Sequence, residues 1–252
     1  MSPHRVIARL DIKGANVIKG IHLEGLRIVG KPGELALRYY EQGIDEIIYM
    51  DTVASLYGRN SILNVVEEAA RDIFVPLTVG GGIRTVDDIV TALRSGADKV
   101  AINTAAITRP AFIDEASRAL GSQCVVLSVE AKRRAAGKWE ALTDNGRETT
   151  GIDVMDWVAE AEQRGAGEIL VTSVDQEGTK KGADIELFSA VRRRVKIPVI
   201  GSGGIGKPMD AVTAFARDSV DAIACASIFH YNTCTVSQFK AALDEHGVPM
   251  RL

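Results

Sequence analysis

Eight short aliphatic runs recur along the chain and are apolar at successive positions: VIARLDI (6–12), EIIYM (46–50), PLTVG (76–80), DKVAIN (98–103), CVVLSV (124–129), EILVTS (168–173), PVIGS (198–202) and DAIACAS (221–227). Between them lie longer stretches of helical period, among them ELALRYYEQG (34–43), SILNVVEEAARD (61–72), VDDIVTALRSG (86–96), VMDWVAEAEQRG (154–165) and AVTAFARDS (211–219). These carry charge on one face and end near a glycine or a short polar stop, as amphipathic helices do. A strand apolar on both faces must be covered on both, so the pattern predicts βα units with helices outside a parallel sheet. Eight units in 252 residues match a closed (β/α)8 TIM barrel, one α/β domain over 1–252; an open doubly wound sheet is the other arrangement the pattern allows.

The two halves of the chain repeat. GIDEIIYMD (43–51) aligns with GAGEILVTS (165–173), and VPLTVGGGI (75–83) with IPVIGSGGI (197–205), both 122 residues apart. GADKVAINT (96–104) aligns with SVDAIACAS (219–227) at 123, and ARLDIK (8–13) with LSVEAK (127–132) at 119. So small a drift over four strands describes two fused four-unit half-barrels and favours the closed barrel.

Composition acts here mainly by exclusion. Thirty Lys and Arg against 33 Asp and Glu leave a net charge of -3, and aromatic residues make up 5%. That balance lacks the basic footprint of a protein that wraps nucleic acid or lies on an anionic membrane, though local anion sites remain open. No apolar run approaches the roughly 18 residues that span a bilayer, and the first run is broken by Arg9 and Asp11, so no signal peptide is expected and the expected compartment is the cytoplasm. Cys124, Cys225 and Cys234 form no C-x-x-C pair; Cys124 and Cys225 read as small core residues. The four histidines show no metal-ligand spacing, so neither a metal nor a cofactor is expected.

The working face of such a barrel is the C-terminal end of its strands. Gly80-Gly81-Gly82 and Gly201-Ser202-Gly203-Gly204 follow the third strand of each half, and Asn103-Thr104 and Ala226-Ser227 end the fourth. Glycines let backbone N–H groups approach an anion, and Thr104 or Ser227 adds a hydroxyl beside a helix start. One glycine run is a weak signal that a tight turn explains as well as an anion site, but two placed symmetrically predict a pair of phosphate cradles and an elongated ligand phosphorylated at both ends. Between them the repeat places Asp11 and Glu130, one per half, as a general acid and general base facing across the mouth. Residues 13–32 and 132–150 lack a helical period and carry Gly14, Gly20, Gly25, Gly30, Gly137 and Gly146, so they are expected to be lid loops. Lys19, in the first, is a candidate phosphate clamp or a solvated loop lysine.

At these residues the chain resembles the cyclase subunit family of imidazole glycerol phosphate synthase, essentially from Arg5 to Leu252. The matching segments are KGIHLEGLR-x-x-GKP (19–32), the DT-VAS pattern (51–55), TVGGGIRT (78–85), GADKVAINTAA (96–106), TGIDVMDWV (150–158), RGAGEILVTSVDQEGTKKG (164–182) and SIFHYN (227–232). The resemblance implies an ammonia-dependent lyase and cyclase of histidine biosynthesis. Such a barrel takes ammonia from a glutaminase subunit, its partner in a heterodimer, and converts a doubly phosphorylated ribulosyl aminoimidazole carboxamide intermediate (PRFAR) to imidazole glycerol phosphate plus AICAR. It also implies that Asp11 is catalytic, and that phosphate contacts fall on Lys19, Gly82, Asn103, Thr104, Gly178, Gly203, Gly204, Ala226 and Ser227, beside Gly81 and Ser202 of the glycine runs. Arg5, Glu46, Lys99 and Glu168 match the family's charged ring at the N-terminal end, through which ammonia enters.

The departures cluster at the reacting centre. The second catalytic position is an aspartate in the family and Glu130 here, one methylene longer, and a misplacement of about 1 Å can cost about 10²-fold in rate. Strand one reads Arg9-Leu10-Asp11-Ile12-Lys13-Gly14-Ala15-Asn16 where the family has C-L-D-V-K-D-G-R, and Asp175-Gln176-Glu177-Gly178 is again one methylene longer than the DxDG-like turn. Arg9 puts a bulky cation in or beside the lumen. The pattern also fits a paralogous ammonia-channelling subunit of an amidotransferase acting on a bacterial surface sugar, or a silent scaffold for a glutaminase, although a scaffold has no use for phosphate cradles.

Overall fold

The computed structural model describes residues 4–54 and 62–250; Ser55, which ends the DT-VAS pattern, and Ser61, which opens a predicted helix, lie outside them. Among the described residues twelve strands are found: β1 (Arg5–Lys13), β2 (Asn16–Ile21), β3 (Glu24–Gly30), β4 (Glu46–Asp51), β5 (Leu77–Gly80), β6 (Lys99–Ile102), β7 (Val125–Ala135), β8 (Lys138–Thr143), β9 (Glu148–Asp153), β10 (Glu168–Ser173), β11 (Val199–Ser202) and β12 (Ala222–Cys225). The ring runs β10-β11-β12-β1-β4-β5-β6-β7 and closes from β7 back to β10. Every pairing around it is parallel. The eight aliphatic runs are the eight ring strands, and the barrel is closed.

The helices follow from their caps and apolar stripes. They are α1 (Pro32–Glu41), α2 (Leu63–Asp72), α3 (Val86–Arg94), α4 (Thr104–Thr108), α5 (Ala111–Leu120), α6 (Val154–Gln163), α7 (Ile185–Arg194), α8 (Pro208–Ala216), α9 (Ser227–His230) and α10 (Val236–Glu245). Thr85 and Asp88 close a reciprocal capping box on α3, Thr235 and Gln238 one on α10, and the Asp153 carboxylate accepts from two amides of α6. Most of the core lies between ring and helices, where Tyr39, Phe112, Phe188 and Phe239 are fully buried. A second apolar cluster, with Ile7, Ile48, Val126, Leu170 and Ile200, fills the lumen. Phe188 packs over Gly201, where a Cβ would stand 2.7 Å from the ring, so glycine here admits the aromatic. Phe188→Ala is expected to cost about 3–5 kcal/mol of unfolding free energy in urea titrations.

The expected lid loops are strands. β1 runs into β2 antiparallel and β2 into β3, while β7 turns back into β8 and β8 into β9. Positions 13–32 and 132–150 have no helical period because their period is that of a twisted hairpin, broken by the glycine turns that suggest loops. The β2–β3 turn places His22 and Leu23 at φ 52 and 66, a backbone that bulky residues avoid. It is tied down where His22 N donates to Glu177 O at 2.8 Å, His22 Nδ1 meets Val174 O at 2.9 Å, and Leu23 clusters with Leu142 and Val174. That cluster joins the two lids to the loop after β10. Of the cysteines, Cys225 is buried in β12, but Cys124 is only half-buried, in the turn ahead of β7.

Candidate active site

Alternation along β1 points Arg5, Ile7, Arg9 and Asp11 down one face, into the lumen. Asp11 and Glu130 stand on β1 and β7, four strands apart in a ring of eight, and so on opposite walls. Both are buried. Arg9 Nε donates to Asp11 Oδ1 at 2.9 Å, and Lys19 Nζ lies 3.4 Å from Asp11 Oδ2 and pairs also with Glu177. Burial pushes the Asp11 carboxyl up, but the Arg9 and Lys19 cations outweigh it and hold it at about 2. Burial likewise pushes Glu130 up; Arg9 opposes this and the Asp11 charge adds to it, leaving it at about 7. Glu130 accepts from the Asn103 amide, which also donates to Leu142 O at 3.0 Å.

The glycine runs take opposite walls too, β5 and β6 against β11 and β12. Gly81, Gly82, Asn103 and Thr104 line a cavity of about 420 Å³ that also contains Glu130, Ser128, Asp51 and Asn145. Ser202, Gly203, Gly204, Gly178, Ala226, Ser227 and Lys19 line a second, tighter one. Asn103 and Ala226 each precede a short helix that begins at Thr104 or Ser227, so these pairs lie just beyond the strands they were expected to end. Each hairpin reaches the cavity of the other half: β2 brings Lys19 to the second cavity, and Asp144 N, past β8, donates to Thr104 Oγ1 at 3.2 Å in the first. Lys19 is buried, and its ammonium is pushed down by burial but raised further by Glu177 and Asp11, so it is no solvated lysine.

At the opposite end of the lumen the four charged residues form a closed ring. Arg5 reaches Glu46 at 2.6 Å and Glu168 at 2.5 Å, and Lys99 reaches Glu46 at 3.3 Å and Glu168 at 3.0 Å. Above it comes the apolar lumen cluster, then Arg9. Its guanidinium does not fold aside: Nη1 crosses to Thr172 Oγ1 on β10 at 2.7 Å and approaches Ser202 Oγ on β11 at 3.5 Å.

The model of the family described as "Histidine biosynthesis protein" matches residues 5–235. The chain is 64% identical over 207 residues to a protein of Legionella pneumophila named imidazole glycerol phosphate synthase subunit HisF, a match that spans 82% of this chain and 98% of that one. The chain belongs to the histidine biosynthesis protein family.

In this histidine biosynthesis protein Gly81, Gly82, Asn103 and Thr104 line one cavity and Lys19, Gly178, Ser202, Gly203, Gly204, Ala226 and Ser227 the other, while Gly80 packs on Met50 and Gly201 on Phe188 instead of lining either. The structure adds Thr172, Ser128 and His230, and gives Glu177, noted in the sequence only as a departure, a partner in Lys19. Thr172 and Ser128 were within reach, since alternation from Glu168 through Leu170 faces Thr172 to the lumen and alternation back from Glu130 does the same for Ser128. His230 had no local signal. Its Nδ1 shares a 2.7 Å hydrogen bond with Tyr39 Oη, and burial together with Lys19 lowers its pKa to about 4, so it is neutral beside Asp11.

Proposed function

We propose that this chain is the cyclase subunit of an imidazole glycerol phosphate synthase, turning the doubly phosphorylated ribulosyl intermediate PRFAR and ammonia into imidazole glycerol phosphate and AICAR. The observation that carries it is the crossed arrangement of the mouth: two anion cradles on one pair of opposite walls, two carboxylates on the other pair. A ligand phosphorylated at both ends and stretched between the cradles has its middle held between Asp11 and Glu130. Forming a carbon–nitrogen bond there, expelling water and cleaving a second carbon–nitrogen bond each require one proton removed and one delivered, which two carboxylates of opposite protonation state supply. In the cradles, Gly81, Gly82, Asn103 and Thr104 hold one phosphate, and Gly178, Ser202, Gly203, Gly204, Ala226 and Ser227 the other, with Lys19 beside the second. The 64% identity to a protein named as that synthase's subunit supports the same reading.

A glutaminase is the proposed partner, docked on the end that carries Arg5, Glu46, Lys99 and Glu168. Opening this ring separates two cations from two carboxylates, so it stays shut until a partner compensates the charges. The purified chain is expected to convert PRFAR with an ammonium salt at alkaline pH, and to use glutamine only once the glutaminase is added. Absence of ammonium-driven turnover, together with failure to rescue a histidine auxotroph, would rule this activity out.

A further inference from the structure

Arg9 touches both halves of the acidic pair's surroundings. It is 1% exposed, bonds Asp11 through Nε, and bonds through Nη1 to Thr172, the cross-strand neighbour of Glu130. The two carboxylates meet this cation differently. Asp11 faces Arg9 from its own strand, Lys19 from β2 and His230 from α9, with Glu177 behind Lys19. Glu130 faces the Asn103 amide from just past β6, the charges of Arg9 and Asp11 across the lumen, and Asp144 past β8, and among the described residues no cation lies within ion-pair distance of it.

We propose that Arg9 is a positioning residue that divides the labour of the two carboxylates: its direct bond fixes Asp11 as the anion that accepts protons and leaves Glu130 as the acid that donates them. The proposal deepens the cyclase reading and rests on it. During turnover Asp11 takes the proton released as nitrogen bonds to carbon, and Glu130 gives its proton to the departing oxygen or nitrogen. The site ends with Asp11 protonated and Glu130 ionised, and exchange with solvent restores both. Asn103 is suited to either state of Glu130. Its amide nitrogen donates to the carboxylate, and its Oδ1, buried without a partner, accepts from the carboxylic acid once the amide turns over. The directions of the two pKa shifts agree, with Asp11 held down and Glu130 pushed up.

The test is a ¹³C NMR titration of the Asp11 and Glu130 carboxyls in the full chain, alone and in Arg9→Met, Arg9→Gln and Arg9→Lys. Met and Gln both remove the charge while filling the lumen, so either one that folds gives the answer. Asp11 is expected to titrate below the usual carboxylate range in the unaltered chain and to rise by at least one pH unit in Arg9→Met or Arg9→Gln, with Arg9→Lys restoring most of the difference. The acidic limb of kcat at saturating ammonia should move with it. An Asp11 midpoint indifferent to the loss of charge, a uniform drop in kcat at every pH, or Glu130 titrating below Asp11 would overturn the assignment. Because the titration needs no substrate, a chain that fails to turn over PRFAR would sink the cyclase reading alone.

Discussion

Glu130→Gln is expected to lower kcat by about 10²- to 10⁴-fold and, at the same time, to stabilise the folded chain above neutral pH. The loss of rate follows from removing the carboxyl proposed to carry the proton at that wall. The gain in stability follows from the environment that makes Glu130 useful. Burial raises its pKa from 4.5 to about 7, against Arg9 and with Asp11. A carboxyl raised in the folded state adds stability that is fully present below about 4.5 and lost as the pH rises through about 7. At about 1.4 kcal/mol per unit that swing amounts to about 3 kcal/mol, an order-of-magnitude figure. Glutamine fills the same space uncharged, and its amide can donate to the buried Asn103 Oδ1, so it escapes the loss. Asp11 runs the other way: lowered from 3.8 to about 2, it adds stability above 3.8 that disappears as the pH falls through about 2. Urea unfolding at pH 5 and pH 8.5 reads the difference. A variant that loses as much stability between those two pH values as the unaltered chain would show that Glu130 ionises freely in the fold.

Much of this architecture is legible in the sequence because a barrel repeats one simple rule. Strands covered on both faces show as unbroken aliphatic runs, the half-barrel offset near 122 residues gives the symmetry, and alternation puts Arg5, Arg9 and Asp11 on one face without any tertiary information. The two glycine-lined cavities are legible because close backbone approach demands glycine at matching places in both halves, Gly81 against Asp51 and Gly204 against Gly182. The lids are misjudged as loops because their apolar positions alternate over only a few residues between turns, and hairpin pairing, not composition, makes them strands. Lys19 is undecidable locally: its partner Glu177 lies 158 positions away and meets it only when β2 folds back against the loop after β10. The direction of the Arg9 side chain is likewise a property of the closed ring, since Thr172 and Ser202 come within its reach only after β10 and β11 have joined β1 through β12.

The second large effect expected is at the cradles, and it is multiplicative. In the Gly81→Ala variant a Cβ would stand 2.2 Å from the Asp51 carbonyl oxygen at φ +94, and in Gly204→Ala 1.9 Å from the Gly182 carbonyl oxygen at φ +86. Neither turn can take the methyl without moving, so the backbone amides proposed to hold the phosphate move with it. A shift of about 1 Å at either end also displaces the middle of the ligand relative to Asp11 and Glu130, so each change is expected to lower kcat/KM by about 10²-fold, in kcat as well as KM. The two turns sit on opposite walls with no shared partner, so their free-energy costs should add, and the double variant should fall by about 10⁴-fold. Urea titrations of the singles must first show them folded, since a strained residue at positive φ costs about 1–3 kcal/mol. Inorganic phosphate offers an independent reading: each single variant should lose one of two inhibitory phosphate sites and keep the other. Were the ligand anchored at one end only, one alanine would account for the entire loss and the other would change neither kcat/KM nor phosphate inhibition.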